Sequence, residues 1–224
     1  MLATALSPAE AMTSYRARVW NNPAPWINHA FGRELWSKQG EIIEAVRDYP
    51  RVAVPSCNAA GKSFLAACIV HWYSEALAPS KVVITGASWT GVEEVVWPWI
   101  HTLHADFERI HKGETLGGTL NQTSWHRDPV GLWGVFSVST DVPERFAGFR
   151  TEHGVLVIVD EASKLDPATY NAIRGLTMGG THSRTVLIGN PLRTTGPFYD
   201  ACQPGSGWHV IQISAFDTPN VVAG

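Results

Sequence analysis

The amino-acid sequence predicts an α/β protein with a mostly parallel central sheet and helices on both faces of that sheet. Apolar, strand-like runs alternate with helical stretches along the chain, which is the pattern of strands joined by helical crossovers. The run Val155–Val159 is apolar at every position, as expected of a strand that helices cover on both sides. Polar residues directly follow two such runs, at Asp160 and at Asn190, and α/β sheets bind ligands at that edge.

The first predicted element is a helix. Ser7 and Glu10 have the spacing of a capping box, which predicts a helix ahead of the segment Asn21–Pro25. That segment reads Asn-Asn-Pro-Ala-Pro and predicts a linker between the helix and the rest of the chain. We therefore expect an N-terminal helix and linker over residues 1–30 and a main domain over residues 31–224.

The main domain alternates strands and helices. The predicted strands are Arg51–Val54, Lys81–Thr85, Leu132–Ser139, Val155–Val159, Thr185–Ile188 and Trp208–Ile213. The predicted helices are Gly61–Glu75, Ser88–Lys112 and Pro167–Arg174, the last one behind the N-cap Asp166. Pro98 is expected to kink or interrupt the second helix, because it has no N–H group to donate. The polar, glycine-rich stretch Gly113–Pro129 predicts a hairpin or loop beside the sheet.

Composition excludes several classes of protein. Of 224 residues, 45% are hydrophobic and 17% are charged, which is typical of a globular protein and not of a disordered chain. The formal net charge of −3 gives no overall basic character, so contacts with nucleic acid would come from local patches. The longest apolar run, Phe64–Val70, is too short to cross a bilayer, and the N-terminus lacks a signal-peptide pattern. Cys57, Cys68 and Cys202 are scattered, which argues against a disulfide framework or a zinc site and favours a reducing cytoplasm.

Residues Val52–Ser63 carry the pattern of a phosphate-binding loop. A strand is followed by small residues and then by a helix, whose free N-terminal N–H groups favour an anion. Lys62 stands where a lysine reaches the β- and γ-phosphates, and Ser63 stands where a hydroxyl binds Mg²⁺. Ser56 replaces the first glycine of the strict pattern GxxxxGK[ST]. The candidate nucleotide-binding residues of this loop are Ser56, Cys57, Asn58, Ala59, Ala60, Gly61, Lys62 and Ser63.

Two adjacent carboxylates follow the apolar run Val155–Val159. Asp160 is a candidate ligand of Mg²⁺, and Glu161 is a candidate general base that orients and deprotonates a water molecule. The alternative is a strand that ends in ordinary helix-capping acids, but the phosphate-loop pattern upstream favours the catalytic interpretation. At the end of another apolar run, Asn190 either contacts the γ-phosphate or the attacking water, or simply forms a turn with Pro191.

These motifs, in this order, resemble the large terminase subunit of tailed bacteriophages. Further segments carry the resemblance: Leu35–Gln39 is similar to an adenine-reading glutamine motif, and Phe146–Arg150 is similar to a glycine-arginine element. Other segments resemble family motifs in the same order, namely Thr85–Trp89 with Val92–Ile100, Gly189–Pro191 with Thr195–Tyr199 (a coupling motif), and Ile213–Asn220. The resemblance covers roughly residues 30 to 224.

The resemblance implies a P-loop NTPase fold of the additional-strand, catalytic-glutamate type. It implies Mg²⁺-dependent hydrolysis of ATP that powers translocation of viral double-stranded DNA into the procapsid, in the host cell cytoplasm. The implied partners are the portal protein, the small terminase subunit and further copies of the chain in a ring, although we expect the isolated chain to be a monomer. The family's nuclease domain has no room after Gly224, so we expect ATPase activity without nuclease activity.

The resemblance also assigns roles to residues outside the phosphate loop. Gln39 would read the adenine base, and the N-terminal segment would form a lid over the nucleotide. An arginine from a neighbouring subunit would complete the site, because the loop has none of its own; Arg150 fits best, Arg145 second and Arg193 third. The alternatives are a surface glutamine at position 39 and a surface salt bridge from an arginine to Glu144 or Glu152.

Two other functions remain open at this stage. A helicase-like nucleic-acid translocase shares the phosphate loop and the acidic pair, but it normally has a second core domain. A non-catalytic nucleotide-sensing module is compatible with Ser56, whereas intact Lys62, Asp160 and Glu161 favour an enzyme. His101 and His104 share a helix face, which we interpret as a solvated or core-edge pair rather than as a metal site.

Overall fold

A single eight-stranded sheet organises the computed structural model, which describes residues 6–222. Its strands are β1 (Arg51–Pro55), β2 (Lys81–Gly86), β3 (Thr119–Leu120), β4 (Ser124–His126), β5 (Gly134–Ser137), β6 (Val155–Asp160), β7 (Arg184–Gly189) and β8 (His209–Val210). The spatial order is β3-β4-β5-β2-β6-β7-β1-β8. The six strands from β5 to β8 in that order pair in parallel, and β3 and β4 extend the sheet antiparallel. The mostly parallel α/β architecture predicted from the sequence is therefore confirmed.

The order of the strands matches the predicted nucleotide-binding fold. The strand that leads into the phosphate loop, β1, does not pair with β6, the strand that carries the acidic pair, because β7 lies between them. This intervening strand is the additional strand of the predicted fold type. It also places the end of β7, and hence Asn190, between the loop and the carboxylates.

Helices cover both faces of the sheet. They are α1 (Pro8–Asn21), α2 (Pro23–Phe31), α3 (Ser37–Asp48), α4 (Lys62–Ala76), α5 (Trp89–Gly91), α6 (Trp97–Ile110), α7 (Pro167–Thr177), α8 (Pro197–Ala201) and α9 (Pro219–Val222). Alternate residues of β6 point to opposite faces: Leu156 and Ile158 pack with α1–α4 and α6, and Val157 and Val159 pack with α7 and α8. An all-apolar strand is required because each face of β6 meets a helical layer. No helix in the described part of the chain is long and apolar enough to cross a membrane.

The predicted linker at Asn21–Pro25 is wrong. Only Asn22 separates α1 from α2, because Pro23 opens a second helix in the first turn, where its missing N–H group costs nothing. Trp26 and Phe31 of α2 are buried in the same cluster as the helices of the main domain. The first two helices thus pack on the core instead of being held apart from it.

Three other local predictions are confirmed. Ser7 and Glu10 form a complete capping box at the start of α1. The helical stretch after β2 is irregular as expected: Val92–Val96 form a π-helical turn, and α6 begins immediately after it with Pro98 in its first turn. The stretch 113–129 contains the antiparallel β3–β4 hairpin.

Helix α4 is the centre of the larger core cluster. Every residue from Leu65 to Ser74 is buried, so this helix is enclosed by the sheet and by other helices. Tryptophan side chains contribute to the packing of those helices on α4. Trp20 of α1 stacks on Trp72 of α4 with ring centroids 4.9 Å apart, and the Trp72 Nε1–H donates to the Val19 carbonyl at 2.9 Å. Several of the ten tryptophans therefore serve to pack the surrounding elements on α4 and the sheet.

A buried ion pair joins the end of α4 to the hairpin. Arg127 donates to Glu75 at 2.8 Å, and the two side chains are 5% and 15% exposed. The guanidinium lies between two indole rings, 3.9 Å from the centroid of Trp133 and 4.4 Å from that of Trp125. Its Nη2–H also donates to the Leu116 carbonyl at 2.6 Å. A carboxylate, a carbonyl and two aromatic faces thus stabilise the charge, while the Arg127 Nε–H has no hydrogen-bond partner within the described residues.

We predict that Glu75→Ala lowers the free energy of unfolding by about 3–5 kcal/mol, because the variant leaves the Arg127 charge buried without its partner. Urea denaturation monitored by tryptophan fluorescence measures the change. Glu108→Ala is the control, since Glu108 is exposed and forms no ion pair within residues 6–222. Equal unfolding midpoints for the two variants would contradict the structural role of the pair.

Candidate functional site

A cleft lies at the carboxyl edge of the sheet, where the ends of β1, β2, β6 and β7 meet. This is the edge at which α/β sheets bind ligands. Six of the residues predicted from the sequence line the cleft, namely Asn58, Lys62, Ser63, Asp160, Glu161 and Asn190. The structure therefore brings together side chains from three separate motifs.

The loop between β1 and α4 is held by backbone hydrogen bonds on both sides. The Ser56 N–H donates to the Gly189 carbonyl at 2.9 Å, and the Cys57 N–H donates to the Ile213 carbonyl at 3.0 Å. Within the loop, Ala59 and Gly61 both have left-handed backbone conformations, with φ of 57° and 72°. A Cβ atom on Gly61 would lie 2.8 Å from the Gln39 Nε2 atom, so the left-handed backbone favours glycine there and a larger residue would displace the Gln39 amide. Ser56 itself is buried and pairs with Ile213, and Ala60 is buried as well.

Lys62, the first residue of α4, turns its ammonium group towards the loop and the end of β7. Its Nζ atom donates to the Cys57 carbonyl at 2.7 Å and to Asn190 Oδ1 at 2.8 Å. Burial lowers the pKa of Lys62, and the nearby Asp160 and Glu161 carboxylates oppose that effect. The ammonium group of Lys62 is thus held in the cleft by a carbonyl and a side-chain amide.

Asn190 bridges the two sides of the cleft. Its Oδ1 atom accepts from Lys62, and its Nδ2 atom donates to the Asn58 side chain. Gly189 makes this position possible, because a Cβ atom there would lie 2.8 Å from the Ala162 backbone nitrogen. The Asn190 side chain thus makes two specific contacts with other loops, and its predicted contact with the γ-phosphate or the attacking water stays a prediction.

The acidic pair occupies the end of β6. Burial raises the pKa of Asp160, an effect that the Glu161 N–H, donating to Asp160 Oδ1 at 2.9 Å, partly offsets. Glu161 has a left-handed backbone with φ of 50°, and its Oε2 atom accepts from Lys164 Nζ at 2.9 Å. Glu161 stands at the N-cap position of the 3-10 turn Ala162–Lys164, but its side chain makes no capping hydrogen bond, and the N-cap of α7 is Asp166.

Ser63 and Asp160 fit a magnesium ion. Both line the cleft, and within residues 6–222 neither the Ser63 hydroxyl nor Asp160 Oδ2 has a hydrogen-bond partner from the protein. Hydroxyl and carboxylate oxygens are hard ligands of the kind that Mg²⁺ prefers. The part of the chain that is described contains no cluster of three or more His, Cys, Asp or Glu side chains around a metal position, so any such ion depends on phosphate oxygens and water for its other ligands.

Gln39 lies beneath the loop rather than in the cleft. It is 3% exposed, and its Nε2–H donates weakly to the Gly61 carbonyl at 3.4 Å. The alternative of a surface glutamine is therefore wrong. Its predicted role in reading adenine stays a prediction, since in this conformation the amide contacts the loop backbone.

The candidate arginines lie outside the residues that line the cleft. Arg150 is exposed and donates to the Gly175 carbonyl at 2.7 Å, next to the end of α7. Arg145 is also exposed and lines a separate hollow beside Trp89. Within residues 6–222 neither Arg145 nor Arg150 forms a salt bridge, so pairing with Glu144 or Glu152 is not observed. Arg193 is exposed in the loop after β7.

Sequence reasoning missed several residues of the cleft. Lys164, Ser163, Val95 and Leu192 all line it. The position of Lys164 could have been predicted from its spacing. It stands three residues after Glu161, and side chains at that spacing contact each other on a helical turn. No sequence pattern could have predicted Val95 and Leu192, because exposed apolar residues in a loop or a π-helical turn follow no regular spacing.

His101 and His104, the two histidines predicted to share a helix face, both lie at the edge of the core. His101 is partly exposed, and its Nε2 atom lies 3.3 Å from the Gln122 carbonyl. His104 Nδ1 lies 2.9 Å from Nε2 of the fully buried His71, whose Nδ1 contacts the Ala67 carbonyl at 2.8 Å. Burial lowers the pKa of His104 to about 4 and also lowers the pKa of His71, so both rings are neutral at physiological pH. Cys57, Cys68 and Cys202 are free thiols, in agreement with the expectation of no disulfide.

Comparison with known proteins agrees with the similarity that the sequence motifs indicate. No protein-family model matches the chain. A probable large terminase subunit of Enterobacteria phage P7 is 26% identical over 193 residues, which cover 81% of this chain and 39% of that protein. The chain therefore spans well under half of the length of this curated relative.

Solved structures agree at the level of the fold. A point variant of the large terminase ATPase domain of Thermus phage P74-26 superposes with a TM-score of 0.65, at 14% identity, over 88% of each chain. The large terminase of a thermophilic bacteriophage in complex with ADP superposes with a TM-score of 0.62, at 12% identity, over 83% of this chain and 48% of that one. This chain thus has the fold of terminase ATPase domains, and its resemblance to the large terminase subunit of tailed bacteriophages, indicated first by its motifs, is confirmed.

Proposed function

We propose that this chain hydrolyses ATP with the help of Mg²⁺ at the carboxyl edge of its sheet. The observation that carries the proposal is the convergence of Lys62, Asp160, Glu161 and Asn190 on one cleft directly above a phosphate-binding loop. These are a cation for phosphate, a metal ligand, a base and an amide, which together meet the requirements of phosphoryl transfer to water. The description of the thermophilic phage terminase as an ADP complex supports a nucleotide as ligand.

Each residue of the cleft has a separate role in binding the nucleotide in this proposal. Lys62 exchanges its contacts with the Cys57 carbonyl and Asn190 for the β- and γ-phosphates, and the N-terminus of α4 donates its free N–H groups. Ser63 and Asp160 hold Mg²⁺, which, when bound, neutralises part of the phosphate charge. Once Lys62 leaves, Asn190 Oδ1 is free to accept from the attacking water, and the Nδ2–H that Asn58 does not use can donate to the γ-phosphate.

Glu161 acts as the general base. As the water oxygen bonds to the γ-phosphorus, the bond from that phosphorus to the oxygen bridging to ADP breaks, and Glu161 takes the proton that the water loses. The products are ADP and inorganic phosphate. Asp160 is not the base in this proposal, because its carboxylate is the ligand of Mg²⁺.

We infer further that this ATPase belongs to a DNA-packaging motor. The similarity to large terminase subunits supports double-stranded DNA as the translocated substrate, with a portal protein, a small terminase subunit and a ring of identical chains as partners. The ATPase domain spans residues 31–224 in this proposal. The described part of the N-terminal segment, from residue 6 onwards, packs on α4 and α6 and contributes no residue to the lining of the cleft, so its role as a lid stays a prediction.

We predict that Lys62→Ala weakens the binding of ATP by about 10-fold or more, because a charged hydrogen bond to phosphate contributes roughly 1.5–3 kcal/mol. Isothermal titration calorimetry with ATP and Mg²⁺ measures the affinity. Lys112→Ala removes an exposed lysine outside the cleft and serves as the control. Equal affinities for the wild type and Lys62→Ala would exclude Lys62 as a phosphate ligand.

We predict that Glu161→Gln keeps the affinity for ATP within about threefold or improves it, while turnover falls by about 10²-fold or more, the loss expected of a positioned general base. A coupled assay for ADP release reports turnover, and calorimetry reports binding. Glu94→Gln is the matched control, since Glu94 is exposed on the neighbouring π-helical turn and does not line the cleft. Unchanged turnover in Glu161→Gln would refute the assignment of the base, whereas a wild type that binds ATP without any turnover would favour a nucleotide-sensing module.

The arginine that completes the site comes from a neighbouring copy in this proposal. In the described residues no arginine lines the cleft, whereas Arg150 is exposed on the surface of the same chain. A guanidinium supplied between subunits would neutralise charge that develops on the γ-phosphate. Arg145 is the second candidate for this role, and Arg193 is the third.

We predict that Arg150→Ala and Glu161→Gln proteins, each with turnover reduced about 10²-fold or more, regain part of the activity when mixed. Some interfaces would then pair an intact site with an intact arginine. Specific activity of the wild type should also rise with protein concentration. A mixture of Arg18→Ala with Arg150→Ala is the control, because it shows the activity that results when chains with an intact site are merely added. A mixture of Arg145→Ala with Glu161→Gln shows whether Arg145, rather than Arg150, is the arginine supplied between subunits. No recovery at any ratio, together with constant specific activity, would remove Arg150 from this role.

A further inference from the structure

Lys164 is a cation of the cleft that neither the motifs nor the comparisons assign. It ends the 3-10 turn Ala162–Lys164, which follows Glu161, and its Nζ atom donates to Glu161 Oε2 at 2.9 Å. The two side chains are about half exposed, at 51% and 53%, and both line the cleft. An exposed pair at this spacing contributes little to stability, so it separates readily.

The charges that line the cleft are balanced only while it is empty of nucleotide. Lys62 and Lys164 supply the positive charges there, and Asp160 and Glu161 supply the negative ones. A bound triphosphate adds several negative charges, which one divalent cation neutralises only in part. Among the described lining residues, Lys164 is the sole cation besides Lys62, and its flexible side chain can move to the added charge.

The same ion pair restrains the base. Oε2 of Glu161 is occupied by the Lys164 ammonium, so a water molecule at this oxygen would have to displace it. A general base needs a free lone pair within hydrogen-bond distance of the water whose proton it takes. Glu161 therefore gains full use of its carboxylate when Lys164 leaves.

We propose that Lys164 is a second phosphate-binding cation, which pairs with Glu161 in the empty cleft and transfers to the γ-phosphate of bound ATP. The transfer frees the Glu161 carboxylate for the attacking water, and it supplies from the same chain a second positive charge beside that of Lys62. Lys164 stays protonated throughout, because the proton of the water goes to Glu161 while the bond to ADP breaks. This inference rests on the proposed ATPase function.

Binding measurements separate a γ-phosphate contact from a general charge effect. Lys164→Gln should bind a non-hydrolysable ATP analogue about 10-fold more weakly than the wild type, while its affinity for ADP changes less than about twofold. Lys164→Arg should restore most of the analogue affinity, because it keeps the charge. Lys112→Gln, a change of the same charge at an exposed position away from the cleft, should leave both affinities unchanged.

A double-mutant cycle tests the competition between Glu161 and the γ-phosphate for Lys164. Glu161→Gln should raise the affinity for the ATP analogue by freeing Lys164, and that gain should disappear in the double variant with Lys164→Gln. Circular dichroism of each variant verifies folding. Equal losses for ADP and the analogue in Lys164→Gln, no loss at all, or a gain that survives in the double variant would overturn the proposal.

The experiment also distinguishes the two levels of inference. If the wild type binds the ATP analogue and turns over ATP but Lys164→Gln behaves like Lys112→Gln, the inference on Lys164 fails and the proposed function stands. If the wild type binds neither ATP nor its analogue, the proposed function fails and the assignment of Lys164 fails with it. Faster turnover in Lys164→Gln would identify Lys164 as a restraint on Glu161 alone, which contradicts the phosphate contact.

Discussion

The enclosure of α4 is the constraint on which the rest of the molecule depends. A helix that is apolar on every side is stable only when the sheet and other helices surround it, and here α1, α2 and α6 complete that surround. Stacked indoles and the buried Glu75–Arg127 pair fix its far end. With the helix immobilised along its length, its N-terminus and Lys62 point at one place on the edge of the sheet, which is what a phosphate site requires.

Backbone geometry then brings three distant motifs to that place. The parallel register of β1, β7 and β6 aligns their carboxyl ends, and Gly189 allows β7 to approach the turn after β6 closely. The resulting network runs from Asn58 through Asn190 to Lys62, so the cationic group is already positioned by neutral partners. For the proposed nucleotide, neutral partners are suitable, because a phosphate displaces them from Lys62 at a smaller electrostatic cost than it would displace a carboxylate.

Much of the fold and of the site could be predicted because the signals are local. The all-apolar strand before Asp160 and the small residues before Lys62 each depend on a few consecutive positions, and the structure agrees with both. The segment Asn21–Pro25 was wrongly predicted to be a linker, because prolines are common both in linkers and in the first turns of helices. The two possibilities are distinguished only by the buried face of α2, which is seen in the structure. The contact of Lys164 with Glu161 and the orientation of Gln39 towards the loop depend on the three-dimensional fold. A local sequence pattern does not fully predict such contacts.

The sheet ends in very short strands at both of its borders. Within the described residues, β3 and β8 contain two residues each, so each border exposes only a few unpaired N–H and C=O groups. Long, flat edge strands are templates for the addition of strands from other molecules, and natural proteins shorten them to avoid this. The eight-stranded sheet is thereby insulated from edge-to-edge aggregation, and copies of the chain that meet at high local concentration have little to gain from joining their sheets.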